Sequence, residues 1–201
     1  MDVVTDQAHF DAVYAERDDP WRIMESWYES RKRAILSASL PQWYYGNAYE
    51  PGCGPGGLTE LLAPRCGRLV ASDLHDRAVT VAQRRVATFP HVTVTRAAFP
   101  EHGLRETFDL IVISELGYYF APSDWTQAVA RLQDMLTPNG TVVACHWKHD
   151  FEHRRNSTEQ VHLAIAESGA LHRHCRHDEP DFLLEIWCRE VQSVAAREHR
   201  T

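Results

Sequence analysis

The sequence predicts a doubly wound α/β fold: a mostly parallel, seven-stranded sheet with helices on both faces, N-terminal helices and a C-terminal antiparallel hairpin. Three observations predict it. Short apolar runs alternate with helical stretches from residue 47 to 147. A glycine-rich loop joins the first strand to its helix, and two extended segments near the end are separated by only Asp178-Glu179-Pro180-Asp181. Alternating strands and helices are the signature of βαβ crossovers, and a four-residue connection is hairpin length.

In chain order, Phe10, Val13 and Tyr14 mark a first helix, and Asp19-Pro20 opens a second with Trp21, Met24, Tyr28 and Ile35 on one face. Asn47 to Glu50 reads as a strand, Leu58 to Arg65 as a helix, Arg68 to Ser72 as a strand and Asp76 to Thr88 as a helix. His91 to Ala97 alternates as a strand, while Phe108-Asp-Leu-Ile-Val-Ile-Ser114 is the apolar run of a strand buried on both faces. Ser123 caps a helix ending near Leu136, and Pro138-Asn139-Gly140 turns into the strand Thr141 to Trp147. A helix over Ser157 to Ser168 precedes the extended segments Leu171 to His177 and Phe182 to Arg189. The expected organisation is a helical cap over 1–46, a catalytic domain over 47–190 and a frayed tail over 191–201, together one compact domain.

Composition narrows the function. The 201 residues carry 44% hydrophobic and 24% charged side chains, an ordinary globular balance. A formal charge of -7 argues against a nucleic-acid partner, and Arg31-Lys32-Arg33 reads as a solvated helix face. No run approaches the roughly 20 apolar residues of a membrane span. The five cysteines contain no C-x-x-C pair, which suits a reduced, cytoplasmic protein. Seven of the 12 histidines fall between His146 and His177, but without a metal-ligand pattern such as H-E-x-x-H, so no metal is expected.

The chemistry centres on Glu50-Pro-Gly52-Cys-Gly54-Pro-Gly56-Gly57, where glycines let the backbone approach a ligand closely. Gly52, Gly54 and Gly57 also satisfy the dinucleotide pattern G-x-G-x-x-G. Asp73, 21 positions after Gly52 and followed by Leu74, is placed to accept ribose hydroxyls of either cofactor. A dehydrogenase needs a substrate region for which little chain remains, and the acidic Glu50 favours a cofactor with a cationic amino-acid end. Both point to S-adenosylmethionine, with S-adenosylhomocysteine as product.

The whole plan resembles the class I adenosylmethionine-dependent methyltransferases over residues 47 to 190. Glu50 to Gly57 matches that class's first motif, Asp73 its ribose carboxylate, and Phe108 to Glu115 its fourth-strand motif beside the transferring methyl. Within the class the chain is similar to the nodulation protein S family, which methylates an amino sugar at the end of chitooligosaccharides. Asp19-Pro20-Trp21, Leu62-Ala63-Pro64-Arg65-Cys66 and Ser114-Glu115-Leu116-Gly117-Tyr118-Tyr119 carry that likeness. It implies N-methylation of a small glucosamine-type acceptor; O-methylation of a secondary metabolite and non-catalytic cofactor binding stand as alternatives. Ala98 departs from the class, where many members place an acid for the adenine amino group, leaving Phe99 to meet the base.

Methyl transfer needs a nucleophile aligned with the methyl carbon, and an amine acceptor must also lose a proton. Residues at the carboxyl ends of strands are the candidates. Ser114 is expected at the cofactor and Glu115 at the acceptor, with Tyr118 and Tyr119 walling the pocket. His146 is the expected general base, its ordinary pKa lying near neutrality. Trp147 and His162 are expected beside the substrate, and Trp21 and Arg31 over the cofactor, with Arg31 pairing its carboxylate.

Overall fold

The computed structural model describes residues 7–100, 106–169 and 171–199, of which residues 7–9 are described by backbone alone. Its seven strands are β1 (Tyr45–Pro51), β2 (Cys66–Asp73), β3 (Val92–Arg96), β4 (Phe108–Ser114), β5 (Leu136–Trp147), β6 (His172–Asp178) and β7 (Phe182–Cys188). They lie in the order β3-β2-β1-β4-β5-β7-β6. Pairings from β3 through β5 are parallel, and β7 runs antiparallel to both β5 and β6. The chain winds outward from β1 through β2 to β3, then crosses back to place β4 on the other side of β1. The carboxyl ends of β1 and β4 therefore flank a topological switch point, where open α/β sheets form a ligand crevice.

The helices are α1 (Gln7–Glu16), α2 (Trp27–Ser39), α3 (Gly57–Leu62), α4 (Asp76–Arg85), α5 (Pro122–Asp134), α6 (Thr158–Ala166) and the short α7 (Val194–Arg197). Two cores sandwich the sheet. Ile111, Ile113, Val142 and Ala144 pack with Trp125 and Leu132 of α5 and Val161 of α6. On the opposite face Leu110, Val112 and Val143 pack with Leu36 of α2 and Leu58 and Leu62 of α3. Leu110 to Ile113 are all fully buried, as their uninterrupted apolar run requires, and each such side chain contributes about 1.5–3 kcal/mol.

Several boundaries differ from expectation. The second helix begins at Trp27, not at Asp19-Pro20. The Asp19 carboxylate instead accepts from the amides of Ile23 (2.9 Å) and Met24 (2.8 Å), and Arg22 takes a left-handed φ of 54°. Ser26 then caps α2 by accepting from Glu29 N. Trp21 and Met24 thus lie outside the helix that carries Tyr28 and Ile35. The helix after the glycine loop stops at Leu62 and tightens into a 3-10 turn over Ala63–Arg65, where Pro64 has no amide to donate. Pro122 occupies the first turn of α5 with Ala121 before it, so Ser123 is inside the helix rather than its cap. The 138–140 turn lies within β5, whose pairing jumps from Leu136 to Thr141 while β4 advances from Phe108 to Leu110. The tail is not wholly frayed: Ser193 caps α7 by accepting from Ala196 N.

Candidate active site

A cavity of about 640 Å³ opens at the switch point, within the size range of small-molecule sites. Its first half is built by the loop after β1. Gly52, Gly54 and Gly56 take positive φ of 70°, 53° and 80°. At Gly56 a Cβ would also stand 2.9 Å from Ala82 Cβ on α4, so only glycine fits this turn. Asp73, at the end of β2, is held by the loop: its Oδ2 accepts from Gly54 N (2.9 Å) and its Oδ1 from His75 N (3.0 Å). A carboxylate fixed this way keeps further lone pairs for a ligand in the cavity, which Asp73 lines together with Leu74, Ala98 and Phe99.

Two ionisable groups without an ion-pair partner among the described residues flank the glycine loop. Glu50 is 2% exposed, its Oε2 has no hydrogen-bond partner among the described residues, and burial pushes its carboxyl up to about 8. Arg33 of α2 donates to Ile23 O (2.8 Å) and forms no ion pair among the described residues. Burial lowers its pKa, and its Nη1 lies 3.6 Å from where a Cβ on Gly57 would stand. Arg33, not Arg31, is therefore the arginine on the cavity. The Arg31 guanidinium points to the hairpin and grips both oxygens of Glu179 at 2.8 and 2.7 Å.

Helix α1 roofs this half. Tyr14 stacks on His75 with centroids 4.6 Å apart and meets Trp21 edge-on at 5.5 Å, while Phe10 reaches Tyr119 at 5.2 Å. Arg77 of α4 ties the helix down, donating to Asp18 Oδ1 (2.6 Å) and to the carbonyls of Tyr14 and Ala15. Trp21 lines the cavity from a turn rather than from a helix.

The second half is a polar wall between α2 and the ends of β4 and β5. Glu115 follows β4 in a left-handed conformation, φ 53°, that costs a non-glycine residue energy and turns its side chain into the cluster. Its Oε1 accepts from Lys32 Nζ at 2.5 Å; its Oε2 accepts from Tyr118 Oη at 2.5 Å and Trp147 N at 3.0 Å. Lys32 is 4% exposed, also donates to Glu29 Oε1 (2.8 Å) and lies 5.2 Å from the Tyr28 ring centroid. Burial alone drives an ammonium toward neutrality, but Glu115, Cys145 and Glu29 around it reverse the effect, and its pKa is raised. The Tyr28 hydroxyl is buried with no partner among the described residues. Ser114, Tyr118, Tyr119, Trp147 and Phe151 complete the lining.

His146 and His162 are not on this wall, which corrects their expected roles. His146 is fully buried; its Nε2 accepts from Gly117 N (3.0 Å), and its Nδ1 lies 3.0 Å from His162 Nε2. His162 Nδ1 in turn meets Glu185 Oε2 at 3.0 Å, and Arg173 and Arg176 close on Glu185 Oε1, each at 3.1 Å. The Gly117 amide has only a proton to offer, so His146 is protonated on Nδ1, donates to His162 and has no lone pair left for a substrate. Burial first, and the neighbouring imidazole second, hold His146 well below the ordinary histidine range. Among the described residues no three His, Cys, Asp or Glu side chains converge as metal ligands.

Besides Phe151, the residues missed in the sequence are those of α2: Glu29, Lys32 and Arg33. Their signal was Arg31-Lys32-Arg33. Successive helical residues point about 100° apart, so three adjacent cations face a hairpin, a pocket and a loop rather than one solvated surface.

A glycine-rich switch-point crevice, a carboxylate at the end of β2 and a seven-stranded sheet with antiparallel β7 between β5 and β6 define the class I adenosylmethionine-dependent methyltransferase fold. The chain belongs to the nodulation protein S family, whose pattern it matches over residues 11–167. It is 37% identical over 128 residues to nodulation protein S of Rhizobium tropici, covering 63% of this chain and 54% of that protein. Against nodulation protein S of Sinorhizobium fredii the identity is 35% over 128 residues, covering 63% of this chain and 59% of the relative. The chain thus aligns with little more than half the length of these curated relatives. The N-methyltransferase NodS from Bradyrhizobium japonicum WM9, solved in complex with S-adenosylhomocysteine, superposes with a TM-score of 0.79 at 28% identity. That match covers 89% of this chain and 97% of the solved one.

Proposed function

We propose that the protein transfers a methyl group from S-adenosylmethionine to the amine of a small polar acceptor, a glucosamine-type amino sugar. The observation that carries the cofactor is a pair of groups beside the glycine loop: among the described residues, the buried Glu50 Oε2 has no hydrogen-bond partner and the Arg33 guanidinium, bonded to Ile23 O, has no carboxylate partner. An α-amino-acid zwitterion satisfies both, its ammonium at Glu50 and its carboxylate at Arg33, and a dinucleotide supplies no such pair. Asp73 takes the ribose hydroxyls, and the Phe99 ring, 5% exposed, packs at the adenine in place of the acid that Ala98 lacks.

When bound, adenosylmethionine supplies an electrophilic methyl on a sulfonium. The chain's own contribution is position and dryness. Glu115 at the end of β4 accepts a hydrogen bond from the acceptor and aims its nucleophilic atom, while the rings of Tyr118, Tyr119, Trp147 and Phe151 exclude water. Tyr28 Oη, without a hydrogen-bond partner among the described residues, can hold a second polar group of the acceptor. Glu29 and Glu115 outnumber Lys32 on this wall, which favours a basic acceptor over a phosphate-bearing nucleic acid. A cytoplasmic setting suits the five free thiols.

The test has two steps. Thermal unfolding with saturating S-adenosylhomocysteine should rise by several degrees while NADH leaves it unchanged. Radiolabelled methyl transfer to D-glucosamine and its β-1,4-linked oligomers should then exceed transfer to phenols. Preference for phenols would replace the amine with a hydroxyl acceptor, and binding without any transfer would make the protein a cofactor-binding module.

A further inference from the structure

The Lys32 side chain is the least expected group in the cavity. It is the one cation among the described residues of the acceptor wall, and it is 4% exposed. The titratable groups around it are Glu29 and Tyr28 on its own helix, Glu115 and Tyr118 after β4, and Cys145 and the buried, neutral His146 on β5. Arg154 packs on the Tyr118 ring, its Cζ 5.8 Å from the centroid. Two carboxylates thus share one ammonium at 2.8 and 2.5 Å.

An amine acceptor meets a conflict at such a wall. Two free carboxylates hold it as an ammonium, which has no lone pair and cannot attack a methyl group. Resting on the amine reading above, we propose that Lys32 determines the protonation state in which the acceptor is held, occupying Glu29 and Glu115 with its own charge so that the pocket admits the neutral amine. Lys32 acts through these neighbours and is a positioning residue, not a base. One carboxylate lone pair of Glu115 remains to accept an N–H and orient the nitrogen. The nitrogen lone pair then forms the new C–N bond as the S–CH3 bond breaks, and its electron pair stays on sulfur as a thioether. The product is a secondary ammonium, which the Lys32 charge repels and which releases its proton to water. The same repulsion that lowers the acceptor's pKa before transfer therefore assists departure after it.

The experiment is the pH dependence of kcat at saturating acceptor, since kcat reports ionisations within the complex. Methyl transfer to D-glucosamine or its oligomers is followed from pH 6 to 9.5. Removing a neighbouring positive charge raises the pKa of the bound amine, so Lys32→Met should move the acidic limb up by about one to two pH units. Turnover then falls roughly 10- to 100-fold near pH 6.5 and less than about threefold at pH 9, on the same shift. Lys32→Arg should retain the wild-type midpoint, and Glu29→Gln should move it down. Stabilisation by S-adenosylhomocysteine checks that each variant is folded; should Lys32→Met not fold, the Glu29→Gln shift and the Lys32→Arg midpoint decide. Amine transfer with unshifted profiles in these variants overturns the inference alone. A wild-type enzyme that methylates no amine overturns the amine reading, and the inference with it.

Discussion

Two buried polar networks meet at Gly117 and the end of β5, and they behave oppositely. One runs from His146 through His162 to Glu185, Arg173 and Arg176; in it the known donors and acceptors match in sequence, from the Gly117 amide to the surface. The other joins Lys32, Glu29, Glu115 and Tyr118, opens on the cavity and has beside it the Tyr28 hydroxyl, which lacks a partner among the described residues. Both contain titratable groups at strand ends. What separates them is spare hydrogen-bonding capacity facing a space a ligand can enter. A satisfied network rigidifies a fold; one with capacity left over can bind and orient.

The largest effect should come from breaking the open network. Glu115→Ala is expected to lower methyl transfer by about 100-fold or more while leaving S-adenosylhomocysteine binding intact. Transfer within threefold of wild type, measured with the same label, would reduce Glu115 to a structural ligand of Lys32.

Next come the two charges at the glycine loop. Arg33→Met should weaken S-adenosylhomocysteine roughly tenfold or more in calorimetry, the scale of one charged hydrogen bond, whereas Arg31→Met should leave the affinity unchanged. Equal losses from both would mean the cap reorients around the ligand. Glu50 gives a pH signature. Its folded pKa of about 8 leaves it largely neutral at pH 6.5, and pairing with the ligand ammonium requires its anion. Affinity should therefore rise approaching tenfold per pH unit up to about 8 and flatten above, and Glu50→Gln should remove the slope.

The sealed network should answer in stability rather than in rate profile. His146→Ala leaves Gly117 N and His162 Nε2 unpaired and is expected to cost about 1–3 kcal/mol in denaturant unfolding, with no movement of the kcat acid limb. A moved limb would return His146 to the chemistry. The folded pKa values of both histidines lie below the ordinary value, burial being the largest cause. Such groups contribute stability that is present above an unfolded pKa near 6.5 and lost as pH falls through the folded values. Midpoints should accordingly drop between pH 7 and pH 5, less so in His146→Ala.

Much of this arrangement was readable before any coordinates. The buried run Phe108–Ser114, the three left-handed glycines and the carboxylate at Asp73 each follow from local rules of burial, backbone freedom and spacing. The four-residue connection before Phe182 likewise announces the antiparallel hairpin of β6 and β7. Helix starts were less accessible, because a side chain can compete with the helix for its own amides, as Asp19 does at Ile23 and Met24.

By itself, then, the sequence determined the sheet, its switch point and the cofactor loop, since those depend on patterns within a few residues. Only the tertiary structure decided which of Arg31, Lys32 and Arg33 faces the hairpin, the acceptor or the glycine loop, and that His146 spends its lone pair on the Gly117 amide. Those assignments rest on contacts between residues 10 to 148 positions apart, and no local pattern encodes which partner will satisfy a given charge.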